Sequence, residues 1–114
     1  MSEVVFNEQA FYNHLGGDRE LATEILKVYM VDAPARTESL AEAVKNGDQV
    51  LAVKYSHALK GISATIRANA IALLAEKIEM CSRKGDLDKA KHLMPKVFLE
   101  LDAVLTAVRK HLTT

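Results

Sequence analysis

The residues most able to do chemistry lie in one stretch of the 114-residue chain, Tyr55-Ser56-His57-Ala58-Leu59-Lys60-Gly61-Ile62-Ser63-Ala64. Side chains three and four apart share a face of a helix, so this stretch, if helical, presents His57, Lys60 and Gly61 together, with Lys54 one turn earlier. Tyr55, Leu59, Ile62 and Ile66 make a separate apolar stripe that meets the needs of a core, which leaves His57 facing solvent. A histidine between two lysines is a poor metal ligand, because the ammonium groups repel cations. It is a good place to hold an anion such as a phosphoryl group. Positive neighbours favour a neutral ring, and a neutral ring has a lone pair for nucleophilic attack near neutral pH. Gly61 adds clearance for another backbone, at a cost of about 1 kcal/mol relative to alanine inside a helix. The plainer alternatives are a surface histidine and a glycine that lets two helices pack closely.

The elements that must position these residues follow from apolar periodicity and stop signals. Asn7 caps a short helix through Leu15 that ends at Gly16-Gly17, after residues 1–6 as a loose leader. Asp18 caps a longer helix with Leu21, Ile25, Val28 and Tyr29 as its apolar positions. Pro34 should kink or break it before it resumes through Leu40 and Val44 to Asn46-Gly47. Asp48 caps the helix of His57, which runs to about Ile66. Asn69 is expected to cap the next, whose stripe is Ile71, Leu74, Ala75 and Ile78 up to Gly85. From Leu87 to Leu112 the pattern Met94, Val97, Leu101, Val104, Leu105, Val108 is strongly amphipathic, with Pro95 bending or restarting that helix. Four long amphipathic helices on short turns pack most simply as an antiparallel four-helix bundle, all-α, with the short N-terminal helix across one end. One domain accounts for residues 1–114.

This arrangement sets a register. With the turn at Arg67 to Asn69, ten residues separate His57 from Arg67 and ten separate Asn69 from Glu79, so His57 and Glu79 should lie level on neighbouring helices. Lys60 then faces the level of Glu76, and Glu76, Glu79 and Arg83 share a stripe. A site of His57, Lys60, Glu79 and Arg83 can be drawn on this count alone, with a solvent-facing Glu79–Arg83 ion pair as the plainer alternative.

His-Ala-Leu-Lys-Gly-Ile-Ser-Ala, with the segment from Asn69 to Glu79, resembles the signature His-x-Leu-Lys-Gly-Ser of histidine-containing phosphotransfer (HPt) domains. Similarity extends to Glu42-Ala43-Val44-Lys45-Asn46-Gly47-Asp48 and to Arg83-Lys84-Gly85-Asp86-Leu87, covering nearly the whole chain after Gly16. The resemblance implies that His57 carries a phosphoryl group between receiver-domain aspartates, with Lys60 assisting. It also implies a hydrogen bond between the active histidine and the residue at Glu79, which accepts it, and in some members a basic residue at Arg83. Lys54, Gly61, Ala64 and Arg83 are the expected contact residues for a partner. The family usually has glycine where Arg67 stands. Arginine is penalised in a left-handed conformation, so this helix is expected to end differently, with Asn69 absorbing the unusual backbone or capping the next helix.

Composition narrows the alternatives. Net charge is zero and the pI is about 6.9, against general affinity for nucleic acid or anionic membranes. Residues 1–50 hold nine acidic and four basic residues, whereas 51–114 hold six and eleven, so His57 lies in the basic half. Cys81, the single cysteine, reads as a buried structural thiol in a reducing cytoplasm. No apolar run spans a bilayer. His14, His92 and His111 have no comparable setting; none has glutamate three residues before it, so a di-metal carboxylate bundle fails. No Gly-rich phosphate loop or serine or cysteine nucleophile motif occurs, so no ATP site is expected. Phe11, Tyr12 and Leu15 read as core, or else as a docking patch beside the site.

Taken with these exclusions, the resemblance implies a cytoplasmic phosphorelay intermediate, a phosphocarrier and not a kinase. The resemblance implies receiver domains of a hybrid sensor kinase and of a response regulator as partners. No cofactor is expected on this chain, Mg²⁺ being expected on the receiver, and the protein should be a monomer. The alternatives are a helical bundle that binds receiver or kinase domains without being phosphorylated, and a plain structural bundle.

Overall fold

Aspartate or asparagine starts four of the five helices. In the computed structural model, which describes residues 5–113, these are α1 (Glu8–His14), α2 (Arg19–Lys45), α3 (Gln49–Thr65), α4 (Asn69–Arg83) and α5 (Leu87–Leu112). Asn7, Asp18, Asp48 and Asp86 each accept a hydrogen bond from the backbone N–H three residues on, satisfying one donor that a helix start leaves unpaired. The short turns make sequential neighbours antiparallel: α2 packs on α3, α3 on α4, α4 on α5, and α5 closes the ring on α2. Leu26, Leu40, Leu59, Ile71, Ile78, Val97 and Val104 fill the interior and are fully buried. Each such side chain contributes about 1.5–3 kcal/mol by leaving water.

Neither proline interrupts its helix. α2 runs through Pro34 and α5 through Pro95. A mid-helix proline costs about 3 kcal/mol, but buried Tyr29, Ala33, Thr37 and Leu40 anchor α2 on both sides of Pro34, and Met94 and Val97 do the same around Pro95. The buried stripe of α2 is also rotated from the predicted one. Ala22 and Leu26 are buried with Tyr29, whereas Leu21 and Val28 are exposed and Ile25 is half-buried. Small residues are what let α2 approach its neighbours, and hydropathy gives them little weight.

The loose leader predicted for residues 1–6 fails at Phe6. Residues 1–4 lie outside the described residues, but Phe6 is buried and packs on Phe11 and His111. The Asn7 N–H donates to Arg67 O at 3.2 Å, tying this segment to the α3–α4 turn. That turn also differs from expectation. Arg67 itself takes the left-handed conformation, with φ +65°, as Gly47 and Gly85 do at the equivalent positions after α2 and α4. Its N–H bonds Ala64 O and the Ala68 N–H bonds Ser63 O, the paired pattern of a Schellman helix end. Ala68, fully buried, thereby becomes the residue before α4 with no side-chain cap, and Asn69 is the first helical residue.

Candidate functional site

α3 and α4 meet around one buried carboxylate. Glu79, on the inner face of α4 with its side chain 7% exposed, lies level with His57, whose side chain is 64% exposed on α3. His57 Nδ1 is 3.0 Å from Glu79 Oε2. Arg83, one turn further along α4, donates to the same oxygen from Nη2 at 2.8 Å and from Nε at 3.3 Å. Lys60 Nζ stands 2.9 Å from the other oxygen, Oε1. That approach lies outside the angles of a directed hydrogen bond, so Oε1 is buried with a charge beside it but no bond aimed at it.

Burial alone would push the Glu79 carboxyl up, but the Lys60 ammonium close against it and the hydrogen bonds from Arg83 and His57 outweigh it and bring its pKa down to about 2. At neutral pH Glu79 is therefore ionised and can only accept hydrogen bonds. This fixes the tautomer of a neutral His57: the proton sits on Nδ1, donated to Glu79, and the lone pair sits on Nε2. No described residue bonds Nε2.

Four of the predicted residues thus come together: His57, Lys60, Glu79 and Arg83. Lys60 reaches Glu79, not the level of Glu76, because helical side chains lean toward the N-terminus of their own helix and carry its ammonium back to the level of His57. Lys54 stays outside the cluster, exposed, with its ammonium 5.6 Å from the centre of the Tyr55 ring. Gly61 is exposed, and a Cβ built there meets nothing within 4 Å, so no packing inside the chain requires glycine. Ala64 is half-buried one turn on. Cys81, also on α4, is buried outside the cluster, and burial first, then the charge of Asp86, pushes its thiol up.

Sequence reasoning missed two supports. Gln49 Nε2 donates to Arg83 O at 3.1 Å, fastening the first turn of α3 to the last of α4. Beyond Gly61 a mostly apolar groove of about 240 Å³ runs between α2 and α3, formed by Ile25, Val28, Ile62 and Ile66 and flanked by Glu24 and Asp32. The exposed apolar side chains on α2 were the signal for it, misread as core. Among the described residues, no group of three or more His, Cys, Asp or Glu is placed to hold a metal ion, and none of their helices is long and apolar enough to cross a membrane.

Residues 24–111, most of the chain and the whole of this site, match the model of the Hpt domain. The chain belongs to the Hpt domain family. Among curated relatives, this Hpt domain is 26% identical over 99 residues to the phosphorelay intermediate protein rdeA of Dictyostelium discoideum. That match covers 87% of this chain but only 39% of the length of rdeA. Among solved structures, its fold is similar to histidine-containing phosphotransfer protein B (HptB) of Pseudomonas aeruginosa PAO1, with a TM-score of 0.90 and 20% identity over 98% of this chain and 97% of that one. It is also similar to the HPT domain of an Hpt sensor hybrid histidine kinase from Shewanella, with a TM-score of 0.85 and 22% identity over 96% and 94%. Membership gives the Hpt domain a histidine phosphotransfer role in two-component signalling.

Proposed function

We propose that His57 is the phosphoacceptor, taking a phosphoryl group from a receiver-domain aspartate and passing it to another. The observation that carries this reading is the buried, ionised Glu79, which holds the Nδ1 proton and leaves the Nε2 lone pair toward solvent. Nε2 attacks the phosphorus of an aspartyl phosphate, the N–P bond forms as the P–O bond to the carboxylate breaks, and aspartate leaves as its carboxylate. No proton has to move. The ring keeps its Nδ1–H and gains one positive charge, which Glu79 faces, while the Lys60 ammonium serves the phosphoryl oxygens. The reverse sequence hands the group to the next receiver.

The face around His57 carries Lys54, Lys60 and Arg83, which oppose a divalent cation, so Mg²⁺ belongs to the receiver in this reading. Gly61 and Ala64 give clearance for the partner's backbone, and the groove between α2 and α3 continues the contact surface. The chain acts as a monomeric cytoplasmic carrier, without kinase activity of its own, between a hybrid sensor kinase and a response regulator. Incubation with phosphorylated receivers should give an acid-labile phosphate that maps to His57. A protein that binds receivers yet never acquires that phosphate is an interaction module instead.

A further inference from the structure

The two oxygens of Glu79 are held unequally. Oε2 takes directed bonds from His57 and Arg83, whereas Oε1 has only the off-angle Lys60 ammonium on a flexible stem. We propose that Lys60 is a releasable cation and Arg83 a positioning residue: phosphorylation of His57 draws Lys60 from Glu79 to the phosphoryl group, and Arg83 keeps the carboxylate on Nδ1 once Lys60 has gone. This rests on His57 being the phosphoacceptor.

The charges drive the exchange. Before transfer, a neutral imidazole faces a carboxylate served by two cations. Afterwards the ring bears a positive charge that tightens its own bond to Oε2, and a phosphoryl dianion appears on the opposite side of the ring. Glu79 then needs Lys60 less, and the phosphoryl oxygens need it more. Arg83 cannot be drawn off as readily. It makes two hydrogen bonds to Oε2 from the same helix, and a planar guanidinium fork is pre-organised for a carboxylate in a way a single ammonium is not.

The test uses phosphoramidate, a small donor that brings no receiver surface. Wild type, Arg83→Gln and Arg83→Lys are phosphorylated while the Lys60 ammonium, the Arg83 Nε–H and the His57 ring nitrogens are followed by ¹⁵N NMR. In the wild type the Lys60 resonance should move on phosphorylation while Arg83 Nε–H stays. Arg83→Gln should lose part of the Nδ1–H tautomer and accept phosphate about tenfold more slowly, as its two charge-assisted hydrogen bonds to the carboxylate are lost, with Arg83→Lys restoring much of both. An Arg83 signal that moves while Lys60 stays, or a wild-type tautomer and rate in Arg83→Gln, overturns the proposal and leaves the phosphoacceptor intact. Failure of phosphoramidate to modify His57 in the wild type removes both.

Discussion

Two histidines of this molecule stand with Nδ1 against a glutamate, at nearly the same distance and with opposite consequences. His57 meets Glu79 at 3.0 Å and His111 meets Glu8 at 2.9 Å. Around His57 the carboxylate is buried and the ring exposed. Around His111 the order is reversed, with Glu8 56% and His111 only 18% exposed. The second nitrogen differs too: Nε2 of His57 faces solvent, while Nε2 of His111 is engaged by the Tyr12 hydroxyl. A histidine–glutamate pair is therefore not in itself a phosphoacceptor. In the role proposed for His57, an open Nε2, cations that can meet the incoming charge, and a carboxylate too deep to compete for it set it apart, whereas the pair at His111 ties α1 to the end of α5.

The largest expected effect exchanges the two histidines' roles in experiment. His57→Gln should fold and accept no phosphate from a phosphorylated receiver. His111→Gln should transfer normally but lose about 1 kcal/mol of stability with its Tyr12 hydrogen bond and its Glu8 contact. If label persists in the first variant or vanishes in a folded second one, the contrast is misplaced. Removing the carboxylates sharpens it. Glu79→Ala should slow transfer by about tenfold to a hundredfold by releasing the ring tautomer, while Glu8→Ala leaves the rate alone; ring ¹⁵N shifts of His57 report the tautomer directly.

Acid should expose what the ionised Glu79 contributes to stability. The folded pKa of Glu79 lies below its ordinary value, about 2 against 4.5, so its stabilisation is complete above that ordinary value and drains away as pH falls toward 2. At neutral pH it amounts to at most roughly 3 kcal/mol. Denaturant unfolding from about pH 6 down to about pH 2 should show the wild type losing more stability than Glu79→Gln. Parallel profiles would mean that the three cations do not hold the carboxylate in solution.

What could be read in the sequence divides by range. The register of His57 against Glu79 was legible because one tight turn joins two regular helices, so counting residues from the turn measures height. That α2 and α5 continue through Pro34 and Pro95 was not legible, because the local penalty of a proline is certain while the burial that outweighs it depends on both neighbouring helices. Ala22, Ala33 and Thr37, fully buried, carry no hydropathy signal that sets them apart from surface residues. Tyr12 and His111 lie 99 positions apart, and nothing local to either announces the other. The groove beside the site was hidden by the assumption that a leucine or valine at helical spacing belongs inside.

A smaller effect is expected at Gly61, where the two kinds of phosphodonor should part. Since a Cβ there has open space, Gly61→Gln should leave the fold intact, or steadier by about 1 kcal/mol as glutamine replaces glycine in a helix. Phosphoramidate should then modify His57 at the wild-type rate, while transfer from a receiver falls about tenfold as the longer side chain holds the partner's backbone away. Equal slowing with both donors would place the effect in the site and not at the contact surface.

The smallest effect belongs to Arg67, which lies at the far end of α3 from the chemistry. Ten residues of helix place it about 15 Å from His57, beyond the reach of its guanidinium. What it does is close the helix in a left-handed conformation that costs an L-residue about 1–2 kcal/mol and glycine little. Against this stand the greater freedom that glycine loses on folding and the loss of a long 3.4 Å bond from Arg67 Nη1 to Ala64 O. The backbone bonds of the turn, including Arg67 O to the Asn7 N–H, involve no side chain and should survive. Arg67→Gly should therefore raise stability by about 0.5–1 kcal/mol, measured by chemical denaturation, with transfer unchanged. A loss of stability would mean that the Arg67 side chain holds the turn, and a slower transfer in a well-folded variant would place this arginine on the receiver contact.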